Sequence, residues 1–61
     1  MTYTYRVVYA IDEENIVTFE FDSAATSTEL VIEEAIGMVA EEEHGKDLVG
    51  FSILRLKPAD A

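Results

Sequence analysis

The chain opens with strict alternation. Tyr3, Tyr5, Val7, Tyr9 and Ile11 fall on one parity, and Thr2, Thr4, Arg6, Val8 and Ala10 fall on the other. A period of two puts each set on its own side of an extended backbone, and the β-branched and aromatic content suits a strand. "DEEN", residues 12 to 15, supplies turn-prone Asp12 and Asn15, after which Val17, Phe19 and Phe21 alternate with Thr18, Glu20 and Asp22. That predicts a second strand closing a hairpin. Directly opposed residues share a face, so the Tyr3-to-Ile11 and Val17-to-Phe21 sets should form one aromatic face of a core. In either in-phase register Arg6 lies opposite Glu20 or Asp22, a solvent-face ion pair worth no more than about 1 kcal/mol.

The period then changes. In "SAATSTELVIEEAIGMVAEEEHG", Thr26 and Glu29 have capping-box spacing, so a helix is expected to start there. Gly45 can end it as a left-handed cap, with His44 near the negative end of the dipole. At 100° per residue Ile32, Ala35, Ile36, Val39 and Ala40 share one face, predicted to pack on the sheet, and Glu34 and Glu41 lie opposite. Leu30 falls among the acids and Met38 on a flank; either is an ordinary exposed apolar residue or a partner contact. "LVGFSILRLK" is short and lies close to Gly50 and Pro58, so it predicts a third strand. Along it Phe51 and Ile53 share a parity with Arg55 and Lys57, while Leu54 and Leu56 take the other. The apolar side changes within the strand, which calls for a bulge or an exposed mixed face.

Strand, strand, helix, strand predicts an α+β fold of ββαβ order: a three-stranded antiparallel sheet with the first strand central and one helix packed on one face. Residues 1–57 form the expected single domain and 58–61 a loose tail. With 61 residues it buries only about 60% of the surface of the unfolded chain, so one thin core is all it builds. No cysteine is present, which removes disulfides and thiolate metal sites. No apolar run approaches the roughly 18 residues of a membrane span, and no signal-like start is visible. A soluble cytoplasmic protein is expected.

Charge narrows the partner. Thirteen Asp and Glu face four Lys and Arg, a formal charge of −9. Such a body repels nucleic acid and anionic membranes and is drawn to basic surfaces, less so as salt rises. Chemistry is not indicated. His44 is the sole histidine, and it sits beside Glu41, Glu42 and Glu43 with no nucleophile to serve. Glu41-x-x-His44 matches the spacing of di-iron helices, yet those sites draw carboxylates from further helices. No enzyme activity, cofactor or metal is expected; the expected partner is a protein with a basic or mixed-charge surface. The chain itself is expected to be a monomer or a weak dimer.

Two of the four cations, Arg55 and Lys57, stand two residues apart in "GFSILRLKP". Strand periodicity makes them neighbours on one face, a positive spot on an acidic protein. Lys on an edge strand also serves simply to block sheet aggregation. The Ala24, Thr26 and Glu29 pattern, followed by Gly50, Phe51, Ile53, Arg55, Leu56, Lys57 and Pro58, resembles the small RNA polymerase inhibitors of T-seven-type coliphages. In that family a hairpin leads into an Ala-x-Thr-x-x-Glu helix start and the chain ends on Gly-Phe-x-Val-x-Arg-Val-Arg-Pro. The resemblance implies that Arg55 and Lys57 dock on an acidic patch of the polymerase jaw, while Asp12, Glu13 and Glu14 face the DNA channel.

The expected function is therefore that of an acidic protein–protein interaction module, an inhibitor or modulator of a host macromolecular machine. Its candidate partner-binding residues are Arg55, Lys57, Asp12, Glu13, Glu14, Glu34 and Glu41. One alternative is a DNA mimic in which Glu33, Glu34, Glu41, Glu42, Glu43 and Asp47 stand in for phosphates; another is a plain α+β domain with no inhibitory role.

Overall fold

The computed structural model describes residues 1–59. It contains β1 (Tyr3–Ala10), β2 (Ile16–Ser23), α1 (Thr28–Glu42) and β3 (Gly50–Pro58), in that order. The sheet is three-stranded and antiparallel with the order β2-β1-β3, so the first strand is central. One face of this sheet carries α1, as the ββαβ reading predicts.

The parity rule places the core. Tyr5, Val7 and Tyr9 of β1 are buried on the helix side, and their partners in β2 are Phe21, Phe19 and Val17. Tyr5 stacks on Phe21 with ring centroids 5.8 Å apart, and Tyr9 meets Phe19 edge-on at 6.2 Å. Such pairs add to the area they bury. Val7 is wholly inaccessible at the centre, packed with Tyr9 against Ala35 and Val39 of α1. Of the two expected partners, Glu20 and Asp22, Arg6 pairs with Glu20, at 3.0 Å and half exposed.

The helix is rotated from the predicted face. Val31, Ala35 and Val39 are buried, while Ile36 is 49% exposed and Ala40 is exposed. The stripe thus runs at i, i+4 and i+8, narrower than the expected Ile32–Ala40 set. Two side-chain anchors accompany this rotation: the Ser23 hydroxyl donates to Glu34 Oε1 at 2.6 Å, and the Tyr9 hydroxyl donates to Glu43 Oε2 at 2.9 Å. Ala35, the smallest of the three, sits against the buried centre of β1 and allows a close approach.

The helix ends also shift. Ser27, not Thr26, is the N-cap: its backbone is extended and its hydroxyl accepts from the Leu30 N–H at 3.3 Å. Glu29 therefore lies in the first turn, where a carboxylate favours the dipole, and does not reach back as a capping-box partner. At the other end α1 stops at Glu42 with Glu43 as C-cap, three residues before the predicted Gly45. Gly45 keeps its left-handed backbone, φ 76°, in the turn that follows. Pro58 belongs to β3 and the Ala59 N–H donates to Thr2 O at 2.9 Å, so the strand outruns the 1–57 boundary. The remainder of the expected tail, residues 60–61, lies outside the described residues.

β3 holds a bulge, one of the two outcomes its sequence left open. Tyr5 pairs with Arg55 but Thr4 pairs with Lys57, so one step on β1 spans two on β3, and Leu56 is the extra residue. A single inserted residue resets the side-chain alternation beyond it.

Candidate functional site

The bulge separates the two cations. Arg55 opposes Tyr5, on the helix side, and its guanidinium carbon lies 4.6 Å from the centroid of the Tyr3 ring. It lines a hollow with Tyr5, Thr28, Val31 and Ile53 beside the start of α1. Lys57 opposes Thr4, whose hydroxyl donates to Asp22 Oδ1 at 2.7 Å on the uncovered side of the sheet. The expectation of two neighbouring cations on one face is therefore corrected. The cause is Leu56: alternation counted from Phe51 holds through Arg55 and inverts past the extra residue.

The acids, by contrast, are brought together. β2 ends beside the start of β1, and α1 then runs back across the sheet, so its C-terminus arrives at the hairpin end. Tyr9, one residue from the end of β1, contacts Glu43 just past the helix. The Val49 N–H donates to Ala10 O at 2.8 Å, which holds the 43–49 loop at the same end. One pole of the molecule therefore collects the turn acids Asp12, Glu13 and Glu14 with Glu41, Glu42, Glu43 and Asp47. The helix dipole adds its negative end there. Lys46 is the cation within this pole, and Glu43 holds it at 3.6 Å.

Within the turn the Asp12 carboxylate accepts from the N–H groups of Glu14 and Asn15 at 2.8 and 2.9 Å and from the Asn15 side chain. The Asn15 amide first, then these two N–H groups, holds Asp12 below the usual carboxylate range. Asp12 is thus a fixed negative charge that shapes the turn, leaving Glu13 and Glu14 exposed at its tip. At the helix end Tyr9 is buried, and that burial, followed by the hydrogen bond to Glu43, pushes its phenol above the ordinary tyrosine value.

Glu34 and Glu41 do not lie opposite the sheet, as the predicted face would have them. The rotation of α1 turns both toward β2. Glu34 accepts from Ser23, while Glu41 and Glu42 rim a groove of about 400 Å³ lined by Tyr9, Val17, Phe19 and Met38. Sequence reasoning placed Met38 on a flank but missed this groove. The signal was the parity of β2, because a helix stripe as narrow as Val31-Ala35-Val39 leaves the outer ends of Val17 and Phe19 uncovered.

Among the described residues no helix is long and apolar enough to cross a membrane. Comparison of the chain with protein-family models, with curated proteins and with solved structures finds no match.

Proposed function

We propose that the protein is an acidic interaction module that docks its carboxylate pole on a basic surface of a larger macromolecular machine, without chemistry of its own. The observation that carries this reading is the gathering of hairpin-turn and helix-end acids at one end. The cations do not balance it: Arg6 is paired with Glu20, Lys46 with Glu43, Arg55 stacks on Tyr3, and Lys57 lies opposite Thr4 at the end of the sheet away from the hairpin turn. The field at that pole is anionic, and such a field steers encounter with cationic surfaces.

The resemblance to phage inhibitors suggests bacterial RNA polymerase as the machine. Docking through a strand-borne pair of cations does not carry over to this chain, because Arg55 and Lys57 face opposite sides. The part that fits is the acidic turn of Asp12, Glu13 and Glu14 directed at a basic channel. A DNA mimic built on the outer face of α1 is less favoured, since Glu34 and Glu43 are held by Ser23, Tyr9 and Lys46.

Titrating labelled protein with purified bacterial RNA polymerase tests the proposal. Binding is expected at low salt, with an affinity that falls steeply as NaCl rises and a site that channel-bound DNA competes for. Absence of binding at low salt, or binding indifferent to salt, would count against it.

A further inference from the structure

We propose that the free edge of β2 accepts an extended cationic segment of a partner protein as a fourth strand, with the apolar side chains of that segment entering the groove between β2 and α1. This rests on the reading that the partner is basic, and it specifies where and in what conformation the partner is held.

The two edges of the sheet differ in how they are guarded. β3 begins at Gly50, ends at Pro58, carries Arg55 and Lys57, and is bulged at Leu56. Each of these discourages pairing with another strand. β2 has eight residues in unbroken register with β1 and contains no Gly, Pro, Lys or Arg. The Ile11 N–H bonds to Asn15 O and sets the alternation of the hairpin ladder. By that alternation Val17, Phe19 and Phe21 bond to β1, and Ile16, Thr18, Glu20 and Asp22 direct their N–H and C=O groups to the open edge.

What flanks the edge defines its occupant. A strand added to β2 sends alternate side chains to the two sides of the sheet. On the helix side they meet the groove of Val17, Phe19 and Met38, with Tyr9 at its floor and Glu41 and Glu42 on the far rim. Met38 is 36% exposed, and its unbranched thioether adapts to varied apolar shapes. On the other side they meet Thr18, Asp22 and Glu20, whose carboxylate is shared with Arg6. The matching segment alternates apolar residues with Lys or Arg. A second copy of this chain fits poorly, since it would bring Glu20, Asp22, Glu41 and Glu42 against their own kind.

A capped peptide of alternating Lys and Val with one central Phe, matched to the eight residues of β2, serves as probe. Titrated into isotope-labelled protein, it should protect the Thr18 and Glu20 amides from exchange and shift the Met38 methyl. N-methylation of the peptide should weaken binding at least tenfold on one parity and leave it unchanged on the other, because only one parity faces β2. Thr18→Pro, which removes an edge donor and spares the β1 ladder, should have the same effect as the blocking parity. Equal loss for both N-methylated peptides, equal binding of an alternating Glu and Val peptide, or a dimer that Thr18→Pro dissolves would overturn the inference. Salt-sensitive binding that leaves the Thr18 and Glu20 amides unmoved would overturn it while sparing the basic-partner reading. If neither this peptide nor the polymerase binds, both fall.

Discussion

Val7→Asp is expected to abolish the cooperative fold, while Val8→Asp, one position along, leaves it intact. Val7 has no accessible surface and lies under Ala35 and Val39 at the middle of the central strand. A carboxylate there would be buried with no cation or donor to meet it, at a cost on the order of several kcal/mol. A domain of 61 residues has roughly 3–9 kcal/mol of stability in all, at about 0.05–0.15 kcal/mol per residue. The penalty consumes most of it. Val8 points to the uncovered side between Thr18 and Ser52, where a charge stays in water. Circular dichroism during urea titration reads the contrast: no transition for Val7→Asp, and a transition close to that of the parent for Val8→Asp. A folded Val7→Asp would contradict the placement of the helix.

The second large effect concerns the acidic pole. Replacing Glu13, Glu14, Glu41 and Glu42 together with Gln removes charge from both contributors to that pole, the turn and the helix end. None of the four forms an ion pair or a side-chain hydrogen bond within the described residues, so the fold should be kept. Each exposed pair formed with a basic partner contributes little alone, but four together should weaken binding on the order of tenfold to a hundredfold and flatten its dependence on salt. Anisotropy titrations of parent and variant against the polymerase at two salt concentrations measure both. By contrast, Lys57→Glu should leave affinity unchanged or raise it, the opposite of what docking through a cationic strand requires.

The legible parts of this molecule were those governed by one period. Parity alone placed Tyr5, Val7 and Tyr9 inside, put Phe19 and Phe21 with them, and set Arg6 against Glu20 or Asp22, of which the register selects Glu20. The order of the sheet followed from the short hairpin and the helical return. What depends on the meeting of two elements was harder to read. The rotation of α1 about its own axis is set by how closely Ala35 approaches the sheet and by the anchors Ser23–Glu34 and Tyr9–Glu43, which no helical wheel contains. The capping Ser27 lies one residue past the Thr26 that the capping-box spacing favours, because both offer a hydroxyl ahead of the helix.

The acidic pole and the parted cations are tertiary features of different kinds. The pole was within reach of topology: a helix that returns antiparallel to β2 must end beside the hairpin turn, which brings Glu41 to Glu43 toward Asp12 to Glu14. The parting of Arg55 and Lys57 was only half visible. The shift of apolar residues from Phe51 and Ile53 to Leu54 and Leu56 pointed to a bulge, yet its position, at Leu56 between the two cations, fixes which side each one takes. An insertion two residues earlier would have kept them together.

The insertion at Leu56 removes the cationic docking face and leaves the carboxylates to make contact. Through-space proton contacts of the Arg55 and Lys57 side chains, measured by nuclear Overhauser spectroscopy, test it most directly. Arg55 should report the rings of Tyr3 and Tyr5, and Lys57 should report Thr4 and no tyrosine ring. Contacts from both side chains to the Tyr3 and Tyr5 rings would put the cations back on one face and contradict the account.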